Sequence, residues 1–223
     1  MGRERRPRED RRRKVALYLH GFASGPDSQK GRAFEAHLDD YDVHRLDLRI
    51  PDRDGLRVSE MIALCEREAR AHAPVAICAS SLGGFVAAHV SLRVPIVGAV
   101  LMAPAYGLVE RWRDKLGPAR MAAWRGGEPM VAEDNAGGPP LSVDYGFYED
   151  ATTLDPWPLP SCPLLIFHGC RDDVVPIEGS RELTERACDA RLVELDDGHS
   201  LVDSLPRILP EAKAFLDRLW SKP

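Results

Sequence analysis

The sequence predicts an α/β protein whose mostly parallel sheet of about six strands is flanked by helices. Short β-rich runs alternate with helix-like stretches from residue 14 onward, which is typical of a parallel sheet. Runs such as VALYL, PIVGAVLM and PLLIF are apolar at consecutive positions, as strands are when helices cover both faces. With 44% hydrophobic and 29% charged residues, the chain of 223 residues has globular composition and fits one domain.

Six strands and five helices account for most of this pattern. The last predicted helix carries Phe215, Leu216 and Leu219 on one stripe, and Pro210 stands where a helix can start. The strands are predicted at 15–20, 43–48, 75–80, 96–102, 164–168 and 191–195, and the helices at 28–38, 56–73, 82–92, 178–188 and 211–220.

The alternation is interrupted once, between the fourth and fifth strands. A crossover needs far fewer than the 57 residues of 104–160. This stretch holds eight of the 18 prolines and seven of the 15 aromatic residues, so it is neither a plain helix nor a polar linker. We therefore predict a core formed by 15–103 and 161–221, with a cap or lid insertion at 104–160.

The charge distribution argues against nucleic acid as a partner. Residues 1–14 hold eight Lys or Arg against three acids, and we interpret them as a basic disordered tail. The other 209 residues carry a net charge near −10, which would repel nucleic acid.

No run of about 18 apolar residues and no signal-peptide stretch is present, so we expect no membrane span and a cytoplasmic location. The five cysteines form no CxxC pair and are expected to be reduced thiols.

The most informative motif lies where an apolar strand leads directly into a helix. In VAICASSLGGFVAAHVSL, the turn ASSLGG has the layout of a nucleophile elbow, G-x-S-x-G, with Ala79 in place of the first glycine. The positions two before and two after the nucleophile must be small, because the strand and helix backbones approach closely. Ser81 has Ala79 and Gly83 there, whereas Ser80 would place Leu82 at the second position. We predict Ser81 as the nucleophile; the alternative is a serine that only caps the turn.

A serine hydroxyl attacks only with a base and a group that orients the base. In ELDDGHSLVD, His199 follows a strand on a glycine-containing loop, and in PLLIFHGCRDDVVP, Asp172 follows a buried strand. Ser81, Asp172 and His199 thus each follow the C-terminal end of a strand, where ligands bind in open α/β sheets, and we predict them as a catalytic triad. Asp173 competes with Asp172 but leads directly into the apolar VVP.

The remaining acids and histidines are interpreted as structural. We interpret three acids as turn or cap residues: Asp196, Asp197 and Asp203. Two histidines at strand ends are interpreted as supports of the following loops: His20 and His168. The other four are interpreted as surface or helix-face residues: His37, His44, His72 and His89.

The loop after the first strand, HGFASGPDS, lies beside the elbow in such a sheet. Its backbone is the natural second donor to an oxyanion, because the first donor follows the nucleophile. We predict an oxyanion hole formed by the N–H groups of Leu82 and Phe22, with Ala23 as the alternative to Phe22.

Through HGF, ASSLGG, HGCRDDVVP and DGHSL, almost all of residues 14–221 resemble the α/β-hydrolase-fold serine hydrolases. HGFASGPDSQKG and SSLGG resemble small bacterial esterases and the acyl-protein (palmitoyl) thioesterase branch. The resemblance implies the chain order Ser, Asp, His and a sheet that begins at the third strand of the full eight-stranded fold. It also implies a modest cap after Met102 that covers the nucleophile. The tryptophans and tyrosines of this cap would wall an apolar acyl pocket, while about half would form its own core.

We therefore expect a hydrolase that cleaves a small-molecule acyl ester or thioester through an acyl-serine. No cofactor and no metal are expected, since the sequence lacks GxxxxGK[ST], GxGxxG, HExxH and cysteine–histidine metal spacing. Two alternatives remain. A peptidase or amidase would use the same triad, and a catalytically silent binding module would share the fold, although no reacting residue is missing.

Overall fold

A computed structural model describes residues 13–135 and 137–221, so most of the predicted basic tail at 1–14 lies outside the described residues. The strands are β1 (Lys14–Leu19), β2 (Tyr41–Leu46), β3 (Val75–Ser80), β4 (Ala99–Met102), β5 (Met130–Ala132), β6 (Leu141–Val143), β7 (Leu164–Gly169) and β8 (Ala190–Leu195). The helices are α1 (Gln29–His37), α2 (Val58–Ala71), α3 (Leu82–Ser91), α4 (Leu108–Arg125), α5 (Gly146–Thr152), α6 (Glu178–Arg186) and α7 (Leu205–Trp220).

Six strands form one parallel sheet in the order β2-β1-β3-β4-β7-β8, which confirms the predicted fold class. Every residue of the central strand β3 is buried, because helices cover both faces of the sheet. Alternate residues enter two hydrophobic cores: Leu17 and Ile77 lie in the core that includes α2 and α3, and Tyr18 and Cys78 lie in the core that includes α1 and α7. Because all six strands are parallel, their carboxyl ends lie at the same edge of the sheet.

The segment between β4 and β7 contributes no strand to this sheet. It contains α4, the antiparallel pair β5–β6 and α5. An arginine and a serine near the start of α2 attach it to the core. Arg57 Nη1 donates to Asp144 Oδ1 at 2.9 Å, and the Ser59 backbone N–H donates to Asp150 Oδ2 at 2.8 Å.

Several predicted boundaries are wrong by two or more residues. Strand β2 begins at Tyr41 rather than at residue 43, and β4 begins at Ala99 rather than at residue 96. The largest error concerns α7, which begins at Leu205, with Pro206 in its first turn and Pro210 inside the helix. A proline so near the N-terminus loses little, because the first four N–H groups of a helix have no partner within it. Both Pro206 and Pro210 are compatible with the start of a helix. The helix begins at the earlier one because its apolar stripe extends back to Leu205.

Among the described residues, every helix is either too short or too polar to span a lipid bilayer.

The close approach of α3 to β1 can be tested at Gly83. A Cβ there would collide with the carbonyl oxygens of Leu19 and His20. We expect Gly83→Ala to lower the free energy of unfolding by about 3 kcal/mol, or to prevent folding, because the backbone of β1 would have to move. Urea unfolding measures this. The control Gly126→Ala, at the exposed end of α4 with φ −73°, is expected to change stability by less than about 0.5 kcal/mol. Wild-type stability of Gly83→Ala would contradict this packing.

Candidate active site

Ser81 occupies a sharp turn between β3 and α3. Its φ of 51° and ψ of −115° lie outside the regions that L-residues usually adopt. Backbone hydrogen bonds hold it there: the Ser81 N–H donates to the Met102 carbonyl at 2.9 Å, and the Ala105 N–H donates to the Ser81 carbonyl at 3.0 Å. This geometry projects the hydroxyl from the carboxyl edge of the sheet.

His199 lies on the loop after β8 and connects the serine to a carboxylate. Its Nε2 atom is 3.0 Å from Ser81 Oγ, and its Nδ1 atom is 2.7 Å from Asp172 Oδ2. Because an ionised carboxylate can only accept a hydrogen bond, Nδ1–H donates to Asp172, and Nε2 is left to accept from the serine hydroxyl. The structure thus brings the three predicted residues into one hydrogen-bonded row.

The side chain of Asp172 is fully buried and is held in its ionised form by several donors. The backbone N–H groups of Val174 and Val175 donate to Oδ1 at 2.9 and 2.8 Å. Burial by itself raises the pKa of this carboxyl group, but the hydrogen bonds from His168, His199 and Val175 outweigh burial and lower the pKa below 3.8. The carboxylate therefore keeps its charge and orients the imidazole of His199.

His168 participates in this network beyond the loop support that the sequence predicted for it. It is completely buried at the end of β7, and its Nε2 atom lies 3.1 Å from Asp172 Oδ2 and 2.9 Å from the Val175 carbonyl. Both neighbours are acceptors, so Nε2 carries the proton. Nδ1 shares a hydrogen bond of 2.7 Å with the Ser180 hydroxyl. The only sequence signal for this role was the position of a histidine four residues before Asp172.

The acids that were considered as alternatives lie elsewhere. Asp173, Asp196 and Asp203 are exposed. Asp197 is buried, and its Oδ2 accepts from the N–H and the hydroxyl of Ser204 at 3.1 and 2.8 Å, just before α7 begins. Its Oδ1 also accepts from the Gly198 N–H at 2.7 Å, so Asp197 stabilises the turn after β8, and among the described residues no cap of α7 by its side chain is seen.

The two residues whose backbone N–H groups are predicted as oxyanion donors both line the cavity at Ser81. Leu82 is the first residue of α3, so its N–H has no acceptor within the helix. Phe22 follows the end of β1, and the adjacent Gly21 passes so close that a Cβ there would be 3.3 Å from Ser81 Cβ. Phe22, Ala23 and Leu82 all line the same cavity as Ser81.

His20 holds the backbone of this loop. The Leu48 N–H donates to its Nε2 at 2.9 Å, and Nδ1–H donates to the Gly21 carbonyl at 2.8 Å. This is the loop support that the sequence predicted for His20.

A cavity of about 640 Å³ opens over Ser81 and His199. Basic groups predominate over acidic ones on its wall, although the wall also includes apolar side chains. Burial lowers the pKa of Lys30 to about 8, and its ammonium group donates to the Ser200 carbonyl at 2.7 Å. The segment 104–160 contributes a large part of the wall, through Ala105, Leu108, Arg111, Trp112, Lys115, Ala132, Glu133 and Asn135.

The aromatic residues of this segment mostly pack against one another. We expected about half to wall the pocket, but of the seven only Trp112 lines the described cavity. Trp124 is buried, donates to the Val143 carbonyl at 2.8 Å and contacts Trp112, Tyr145 and Tyr148. Several of these rings also extend the main hydrophobic core, since Trp124 and Phe147 belong to the same cluster as Leu17.

One group outside the cavity could hold a metal ion. His44 on β2 and Glu68 and His72 at the end of α2 place ligand atoms within 4.8 Å of one another. Imidazole and carboxylate groups suit Zn²⁺. None of the three lines the cavity, so an ion held there would not reach the Ser81 hydroxyl.

The parallel sheet and the strand–turn–helix at Ser81 define a protein of the α/β-hydrolase fold. The chain belongs to the Uncharacterised protein family UPF0227, whose model matches residues 15–217. Among curated proteins, none matches the sequence.

Solved structures share the fold over nearly the whole chain. Alpha/beta hydrolase domain-containing protein 10 from mouse is 18% identical with a TM-score of 0.74, over 92% of this chain and 90% of that one. An esterase from Exiguobacterium antarcticum is 18% identical with a TM-score of 0.64, over 92% of each chain. A putative hydrolase of the alpha/beta superfamily from Xanthomonas campestris pv. campestris is 25% identical with a TM-score of 0.57, over 91% of this chain and 98% of that one.

The ionised state of Asp172 leads to a pH-dependent prediction. Because folding lowers its pKa below 3.8, the carboxylate stabilises the fold fully above that pH, and this contribution is lost as the pH falls through the folded-state pKa. We expect the stability difference between wild type and Asp172→Asn to shrink by about 1 kcal/mol from pH 7 to pH 3, as measured by urea unfolding. The neighbouring control Asp173→Asn removes an equal charge from an exposed side chain and so separates the effect of burial from that of net charge. A difference independent of pH would contradict the ionised, hydrogen-bonded state of Asp172.

Proposed function

We propose that this chain is a serine hydrolase that cleaves carboxylic esters or thioesters through an acyl-serine intermediate. The observation that carries the proposal is the row from Ser81 Oγ through His199 to the buried Asp172, with distances of 3.0 and 2.7 Å. A hydroxyl, an imidazole and a carboxylate in this order form the arrangement that activates a serine.

In the first half of the reaction, His199 Nε2 takes the proton of Ser81 while Oγ attacks the substrate carbonyl. The carbonyl oxygen becomes an oxyanion, for which we propose the N–H groups of Leu82 and Phe22 as donors. When the tetrahedral intermediate collapses, the bond to the leaving group breaks, and the imidazolium gives its proton to the departing alcohol or thiol. Asp172 remains ionised throughout and stabilises the imidazolium.

In the second half, water replaces the leaving group. His199 takes a proton from water as the water oxygen attacks the acyl carbonyl, and a second oxyanion forms in the same place. Collapse breaks the bond between the carbonyl carbon and Ser81 Oγ, and the imidazolium returns the proton to Oγ. The products are a carboxylic acid and the free enzyme, and water is the only co-substrate.

The comparisons support ester hydrolysis through the fold class. The fold is shared with an esterase and with a putative hydrolase.

We further propose that 104–160 acts as a cap over the acyl site, as its position in the chain predicted. Leu108 and Trp112 of α4 and Ala132 of β5 line the cavity that contains Ser81. The backbone N–H of Asn135 donates to the Ala23 carbonyl at 2.8 Å and so attaches the segment to the loop of the proposed oxyanion hole. These contacts support a fixed wall that separates the acyl chain from water.

An ester panel tests the function. We expect wild type to hydrolyse some p-nitrophenyl esters or acyl thioesters between acetyl and palmitoyl, and Ser81→Ala and His199→Ala each to lose about 10³-fold or more in kcat. Asp172→Asn should lose about 10⁴-fold, because the imidazole would take the wrong tautomer.

Unfolding curves and circular dichroism control for loss of structure in each variant. Activity that survives in folded Ser81→Ala, or wild type inactive on the whole panel, would contradict the proposed function.

A further inference from the structure

One face of α4 presents both apolar and basic side chains to the cavity. Leu108, Arg111, Trp112 and Lys115 follow the spacing i, i+3, i+4 and i+7, and all four line the cavity that contains Ser81. Residues at this spacing share one side of a helix. Two positive charges are therefore directed toward the proposed acyl site together with two apolar side chains.

The guanidinium group of Arg111 forms no ion pair with the described residues. Within residues 13–135 and 137–221, no carboxylate or carbonyl accepts a hydrogen bond from its guanidinium group. Burial lowers its pKa, while the charges of Asp172 and Glu110 act in the opposite direction without a hydrogen bond. Asp172 is already occupied by His199, His168 and two backbone N–H groups.

Three other arginines on or beside this segment form ion pairs, and Arg125 lies over the ring of Tyr145 at 5.3 Å. Arg57 bonds to Asp144, Arg113 bonds to its neighbour Asp114, and Arg120 bonds to Glu128. A partly buried guanidinium without a partner costs free energy, and an anionic ligand would recover it.

The wall around Arg111 favours an anion as well. Lys115 lies one turn further along α4 and forms no ion pair among the described residues. Lys30 adds a third basic group, and Glu133 is the single carboxylate side chain on the described wall. This excess contrasts with the body of the protein, whose net charge is near −10. The positive charge is thus a local property of the cavity.

We propose that the substrate carries an anionic group, a carboxylate or a phosphate, which Arg111 binds while the acyl carbonyl lies at Ser81. The planar guanidinium offers two parallel N–H donors to either anion, and Lys115 adds a point charge toward the cavity mouth. The inference rests on the proposed function and narrows its substrate class to anionic esters or thioesters.

The first experiment compares two esters that differ in one charge. 4-Nitrophenyl hydrogen adipate ends in a carboxylate, and 4-nitrophenyl heptanoate replaces that carboxylate with an ethyl group. We expect Arg111→Gln to lower kcat/KM for the adipate about 10- to 100-fold, mainly through KM, and to change the heptanoate rate less than about threefold. Ser81→Ala supplies the background rate.

The matched control is Arg113→Gln on the same helix, which removes an equal charge from an exposed side chain that does not line the cavity. It should leave both rates within about twofold of wild type. An equal loss in the Arg113 variant would show that the net charge of the helix, rather than contact with Arg111, determines the preference, and would overturn the inference.

A second pair of substrates locates the anion. Butyryl coenzyme A carries phosphates on its leaving group, whereas butyryl N-acetylcysteamine has the same thioester and no phosphate. If Arg111→Gln lowers kcat/KM only for the adipate ester, the anionic group that Arg111 binds belongs to the acyl part of the substrate. If it lowers kcat/KM only for the coenzyme A thioester, that group belongs to the leaving group.

If wild type hydrolyses neutral esters and Arg111→Gln affects no anionic substrate selectively, this inference is wrong and the proposed function stands. If wild type hydrolyses esters of the acetyl-to-palmitoyl panel but neither anionic substrate, this inference alone is wrong. If it hydrolyses no member of that panel and none of these four substrates, both are wrong.

Discussion

The close packing of α3 on β1 is the constraint on which the rest of the site depends. Gly83 leaves no room for a Cβ against the carbonyl oxygens of Leu19 and His20, so α3 can begin directly above the sheet. This closeness forces Ser81 into a left-handed backbone conformation, which the bonds to Met102 and Ala105 maintain. Strain at one residue is thereby offset by the packing of a whole helix, and the serine hydroxyl is left exposed at the edge of the sheet.

The parallel sheet then supplies the partners of the serine. Because β3, β7 and β8 run in the same direction, their following loops meet at one edge, and Ser81, Asp172 and His199 converge there. The buried carboxylate is tolerable only because its neighbours donate to it, including the equally buried His168. The orientation of His199 and the negative charge of Asp172 thus depend on residues such as His168, which do not line the cavity.

Local patterns were sufficient to predict much of this arrangement from the sequence. Consecutive apolar residues predicted the parallel strands, and the small residues around Ser81 distinguished it from Ser80. What the sequence did not reveal depends on contacts between distant segments. The bond from His168 to Asp172 requires the turn after β7, and the aromatic packing around Trp124 requires the fold of the insertion. The exposure of Arg111 to the cavity likewise follows from where α4 lies, which helical periodicity alone does not determine.

The central claim is that His199 and Asp172 make Ser81 nucleophilic, and covalent labelling tests it most directly. A fluorophosphonate reacts with an activated serine, and peptide mass spectrometry identifies the modified residue. We predict modification of Ser81 in wild type and in Ser80→Ala, and a rate at least 100-fold lower in folded His199→Ala. Modification at another residue, or an unchanged rate without His199, would contradict the account.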